Sequence, residues 1–198
     1  MLVQVPSDEP QLHYLRHFLL LAAFSGLLLA PGVSMPVHGF FDGLSWRSLS
    51  GIDAQFALYG LLHALAVAVS LRSRPPGWRL PVFLAGAALL DVGVLHLGSA
   101  LLRGPAAPSW LVILVPACVG ALVYAALTRL LVRIRAASIA AAPFACWFGC
   151  LAGMAGTHLL SSPKLLIVAW WFAFSAWLYA ADRWPSLARR AIALPRKA

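Results

Sequence analysis

Six apolar runs, each about twenty residues long and closed off by Pro, Gly or charge, dominate the chain. A helix of about 20 apolar residues crosses the ~30 Å hydrocarbon core of a bilayer, where only helices and closed barrels satisfy their own backbone. The chain has 198 residues, and six spans take up roughly 120 of them, which leaves short loops and no separate soluble domain. The expected fold is therefore all-α, a polytopic bundle of six transmembrane helices. They are placed at about residues 13–31, 54–71, 80–102, 109–132, 137–160 and 164–182, one transmembrane domain over 1–198. Composition points the same way. With 62% hydrophobic and 11% charged residues, the chain cannot cover a water-facing surface, on which charged residues make up roughly a quarter of a soluble domain.

The charges then orient the bundle. Arg16, Arg72, Arg74, Arg79, Arg129, Arg133, Arg135, Arg183, Arg189, Arg190, Arg196 and Lys197 fall on one side, and Arg47, Arg103 and Lys164 on the other. This bias predicts a cell inner-membrane protein with both termini in the cytoplasm, which an even number of spans requires. The net charge of +9 reads as attraction to anionic lipid at the cytoplasmic face, not to nucleic acid. Residues 183–198 form a basic cytoplasmic tail that alternates apolar groups with Arg and Lys, the pattern of a short helix lying on headgroups. The first apolar run follows Arg16 and His17 as in a signal peptide. It leads into Pro31 and Gly32 with no small-residue cleavage pattern, so a retained anchor is expected. The long outer loop, 32–53, mixes His38, Phe40, Phe41, Asp42, Trp46 and Arg47 and is expected to lie in the interface. Trp46, Trp78, Trp110, Trp177, Tyr179 and Trp184 fall near span ends and are expected in the aromatic belts.

Asp91 is the one acid in the middle of a span. A carboxylate there costs roughly 2.5–3.5 kcal/mol on insertion scales, so it should face the bundle interior and meet a partner. Its stripe carries Ala87, Ala88 and Gly98, small residues that admit a close helix. His63 lies mid-span on the second helix with Tyr59 on its side and is the expected partner, while His96 points about 140° away from Asp91. Together Asp91, His63, His96 and Tyr59 form a candidate polar centre, either a proton or ion relay or a packing hydrogen bond.

The fifth helix carries Cys146, Cys150, Met154 and His158 at i, i+4, i+8 and i+12, ligand types that suit soft metals such as Cu(I). The stripe drifts about 40° per step, so a single ion meets only two adjacent members. Gly149, Gly153 and Gly156 on the same helix make a surface for close helix packing, on which the cysteines serve as small packing residues. His63, His96 and His158 are candidates for a b-type haem. His13 and His17 pair at i, i+4 beside Arg16, where interfacial solvation accounts for them. No H-E-x-x-H, G-x-S-x-G or Walker motif occurs. A six-helix bundle with both ends inside and Trp46-Arg47 in its first outer loop resembles the rhomboid proteases in outline. Cys118, in Pro-Ala-Cys-Val, stands where their serine motif would be, and the sixth helix has no histidine, so the likeness implies no catalytic site here. Pro116 and Pro143 fall inside the fourth and fifth spans, where each frees a backbone carbonyl.

The expected function is transport, or service as a subunit of a larger membrane complex, around the Asp/His polar centre. One alternative is a redox or catalytic subunit that binds haem, a quinone or a soft metal through membrane His and Cys residues. The other is a purely structural helix-packing subunit. Expected partners are anionic lipids and either further copies of the chain or other membrane subunits, and no nucleic acid. For topology the expected outcome is definite: reporters fused after Ala198 and inserted near Ser73 read cytoplasmic, and one near Gly39 reads outside. A cytoplasmic signal at Gly39 breaks the six-span arrangement.

Overall fold

The computed structural model describes residues 11–30, 46–103, 108–160 and 164–193, with the side chains of 46–50, 109, 158, 160 and 184–193 outside that description. Six long helices and one single-turn helix make up the described residues: α1 (Tyr14–Leu29), α2 (Trp46–Val69), α3 (Arg79–Arg103), α4 (Ser109–Thr128), α5 (Ala136–Ile139), α6 (Ala142–Leu160) and α7 (Lys164–Ala193). Five segments among the described residues are long and apolar enough to cross a membrane, the fourth of them, Ala136–Thr157, joining α5 to α6. The protein is thus a multi-pass membrane protein of the all-α class. Helix α1 has 16 residues, roughly 24 Å at 1.5 Å per residue, and falls short of that standard by length alone.

The long helices form a closed ring in chain order. Each packs on its neighbours in sequence, and α1 packs on both α2 and α7. Contacts fix the alternation of direction. Gly86 of α3 faces Leu127 of α4, while Gly98 faces Val112, so these two helices run antiparallel. Gly149 meets Ala169 and Ala173, while Gly153 meets Leu166, so α6 and α7 do the same. At one end, the bridge between Leu12 and Leu71 and the bond from Gln11 N to the Asp182 carboxylate (3.1 Å) tie the start of α1 to the end of α2 and to α7 at Asp182. At the other end Lys164 Nζ donates to the Leu28 carbonyl (2.7 Å), one of the carbonyls a helix C-terminus leaves without an internal partner. Helix α1 therefore reaches from the level of Asp182 to that of Lys164 on α7.

Side chains are distributed the opposite way from a water-soluble bundle. Leu15, Leu89, Phe144, Phe148 and Leu159 lie exposed on the outside of the ring, while His17, His63, Ser70, Thr128 and Ser175 are buried inside it. Lipid accepts the apolar exterior, and the polar groups find partners in the interior.

Four expectations need correction. The fifth span is not one helix over 137–160: it breaks after Ile139 and restarts at Ala142. Pro143 has no N–H for the Ile139 carbonyl and its ring crowds that carbonyl, so the chain turns there and places the proline in the first turn of α6, where it is tolerated. The outer loop is shorter than 32–53, because Trp46 to Asp53 belong to α2; residues 31–45, with His38, Phe40, Phe41 and Asp42, lie outside the described residues. The tail does not start a separate helix after 182, since α7 runs unbroken to Ala193. Trp177 is not a belt residue: it is buried, and its Nε1 donates to the Ser138 carbonyl (3.0 Å) at the α5–α6 break. Trp78 and Trp110, by contrast, are exposed.

Glycine decides how closely α6 and α7 approach. A Cβ at Gly149 would run into the Cβ of Ala173 and the Ala169 carbonyl, whereas one at Gly156 would meet only the movable Leu165 side chain at 3.6 Å. Forcing extra volume into such a contact costs about 1–3 kcal/mol. Gly149→Ala is therefore expected to lower the melting temperature in detergent clearly, and Gly156→Ala to leave it nearly unchanged. Equal melting temperatures for the two variants would remove the packing role of Gly149.

Candidate functional site

Where α2, α4 and α7 begin and α3 ends, the side chains within the ring do not fill the space, and a cavity of about 310 Å³ remains. Its walls are nearly all apolar, and Asp91 of α3 is their one carboxylate. The sequence places it there through small residues. A Cβ at Gly60 of α2 would collide with the Ala87 carbonyl and come within 3.1 Å of Asp91 Cγ, so glycine lets α2 lie directly against the Asp91 turn. Among the described residues the Asp91 carboxylate has no hydrogen-bond or ionic partner. Phe56, Tyr59, Trp170 and Trp171 supply aromatic walls. Trp170 is held by a hydrogen bond from its Nε1 to the Ala117 carbonyl (3.2 Å).

Pro116 also alters the helix backbone beside the cavity. Pro116 has no N–H to give to the Val112 carbonyl four residues earlier. That carbonyl faces α3 at Gly98, where an added Cβ would lie 3.5 Å from it, and Val112, Pro116 and Gly98 all line the cavity.

Behind the tryptophans, toward the other end of the ring, lies a separate buried array. Ser175 Oγ sits 2.9 Å from His17 Nε2 and 3.4 Å from His63 Nε2, which joins α1, α2 and α7 through one hydroxyl. His63 is stacked between the rings of Tyr124 (4.9 Å) and Trp171 (5.7 Å), with Trp170 and Phe174 edge-on. His63 Nδ1 and the Tyr124 hydroxyl are buried with no partner among the described residues. The Tyr124 ring also meets the edge of Trp170, a cavity-wall residue, with ring centroids 6.0 Å apart.

The four residues of the expected polar centre are thus divided. Asp91 and Tyr59 line the cavity, His63 belongs to the Ser175 array, and His96 pairs with Asp53 (Nε2 to Oδ1 3.1 Å) at a part-exposed edge of the bundle. His63 is not the partner of Asp91, because its ring is held by Ser175 and four aromatic neighbours. His17 is not interfacial: it is fully buried and shares Ser175. Neither residue's place was legible in sequence, since i, i+4 spacing next to Arg16 looks like a solvated helix end. The signal available was Ser175, a lone hydroxyl in the apolar middle of the last span.

Cys146 and Cys150 are buried free thiols, Cys150 on the cavity wall and Cys146 in the core beside Phe174. Met154 packs near Cys150, and the side chain of His158 lies outside the described residues. Among the described residues no three His, Cys, Asp or Glu side chains converge as metal ligands. Neither His63 nor His96 lines the cavity.

Removing the shared hydroxyl tests the array. Ser175→Ala leaves two buried imidazole nitrogens unpaired, a loss of about 1–3 kcal/mol. Ser99→Ala removes only a bond to the Leu95 carbonyl of its own helix (3.0 Å) and should cost less. Thermal unfolding of the two variants in the same detergent is the measurement, and equal stability would separate the histidines from Ser175. The chain matches no protein-family model, no curated protein and no solved structure.

Proposed function

We propose that this is a six-span inner-membrane transporter with both termini in the cytoplasm, and that its ligand is carried through the cavity headed by Asp91. The observation that carries the proposal is the unpartnered carboxylate on the wall of a ligand-sized cavity inside the bundle. An ionised carboxylate in apolar surroundings is costly to leave without a partner. Asp91 is therefore a place where a proton or a ligand is taken up and released, and its two states can bias the packing of α2 against α3 at Gly60. The six-span count is supported by α1 reaching from the level of Lys164 to that of Asp182 on α7, and the orientation by the excess of Arg and Lys on one side. Anionic lipids are the partners of that basic face. The closed ring gives each long helix two helical neighbours within one chain, and all the cavity's lining residues come from that ring.

Transport requires that the cavity open alternately to the two sides. In a background with Cys118→Ala, Cys146→Ala and Cys150→Ala, the cavity-lining Ile113→Cys is expected to react with a membrane-impermeant maleimide. It should do so both in right-side-out and in inverted vesicles. Adding Asp91→Asn should change the ratio of the two rates several-fold at normal protein abundance, because an amide accepts hydrogen bonds but takes up no proton in this range. Labelling from one side only, or a ratio indifferent to Asp91→Asn, would overturn transport in favour of a structural or static binding subunit.

A further inference from the structure

We infer that the ligand of this cavity is a small lipophilic cation, an amine or quaternary ammonium with an aromatic or alkyl body. The inference rests on the cavity being a ligand site and adds the chemical class. Three features select that class. The first is charge: Asp91 is the one carboxylate on the wall, and no cation of the described residues stands against it. His96 is engaged by Asp53 at 3.1 Å, Lys164 Nζ is on the Leu28 carbonyl at 2.7 Å, and Arg79 and Arg103 lie at the two ends of α3. When Asp91 is ionised, the charge that balances it comes with the ligand, since a carboxylate out of water is stabilised by a paired cation.

The second is the aromatic wall. Phe56, Tyr59, Trp170 and Trp171 share the cavity with Asp91, and the faces of Trp and Tyr attract ammonium groups, more strongly when water is excluded. Anions are repelled by the carboxylate, and a neutral molecule leaves it unmatched. The third is size and polarity. About 310 Å³ lies at the low end of the ~300–1,000 Å³ range of small-molecule pockets. Val112, Ile113, Pro116 and Ala117 of α4 add no further charge to that wall, so one charge on a compact apolar body is what it can match. A compact body carrying one positive charge matches all three.

The test is direct binding to the full chain in lipid nanodiscs, with benzyltriethylammonium as probe. Its neutral carbon isostere and ubiquinone-1 serve as comparisons, read by titration calorimetry. Wild type is expected to bind the cation at least about tenfold more tightly than either neutral compound, a gap of ~1.4 kcal/mol. Asp91→Asn should lose about that tenfold for the cation and little for the neutral isostere, and Asp91→Glu should retain cation binding. The comparison of three ligands on wild type stands even where a variant does not fold. Equal affinity for cation and isostere, preference for ubiquinone-1, or cation binding unaffected by Asp91→Asn would each overturn the cationic class. The transport reading fails separately. Two-sided labelling at Ile113→Cys without cation preference rejects the ligand class alone, while cation preference with one-sided labelling supports the ligand class and rejects transport.

Discussion

Everything in this molecule depends on how closely helix backbones approach one another inside a solvent that offers no hydrophobic drive to bring them together. Lipid tails are as apolar as Leu, so helices associate through packing and through the polar groups they bury. The closest approaches are made by glycine: Gly149 and Gly153 of α6 against Ala169, Ala173 and Leu166 of α7, and Gly60 of α2 against Ala87 of α3. The polar contribution is made by Ser175, which bridges two histidines, and by the Tyr14 hydroxyl on Asp182 (2.7 Å). Tight pairs on opposite sides of a ring leave space elsewhere, and the cavity forms where α2, α4 and α7 begin.

The same constraint explains why polar chemistry is split between two places. The histidine array is dense, enclosed by aromatic rings and crossed by three helices, as a packing centre should be. Asp91 is its opposite, a carboxyl group at the edge of open space with no partner among the described residues. Unsatisfied groups of this kind are expensive to keep in a membrane and mark function more often than stability. Trp170 and Trp171 separate the two, touching the cavity with one set of atoms and His63 with another. Movement of a ligand against these rings would be felt by the histidine that Ser175 links to α1.

Much of the architecture was readable residue by residue. Apolar run length pointed to the five helices long and apolar enough to cross a membrane, and Gly149 and Gly153 at four-residue spacing announced a close helix contact that the structure places against α7. Asp91 was recognisable as the residue most in need of explanation because no other acid lies mid-span. The break at Pro143 was harder: a proline in a long apolar run either kinks a helix, as Pro116 is accommodated within α4, or ends one. Which occurs is settled by the neighbours. At the α5–α6 break the Ser138 carbonyl accepts a bond from Trp177, a partner 39 residues away in the chain.

Partnership was therefore what sequence alone did not contain. By itself the sequence determined that the chain is helical, that it crosses a membrane several times and that Asp91 is exceptional, because all three follow from local composition measured against the thickness and polarity of a bilayer. Only the tertiary structure decided that His63 meets Ser175 and not Asp91, that His17 is interior, that His96 belongs to Asp53, and that Asp91 looks into a cavity. Each of these depends on the rotation of one helix about its axis relative to another. That rotation is set by summed packing at glycines and aromatic rings on different helices, and no spacing within a single helix encodes it.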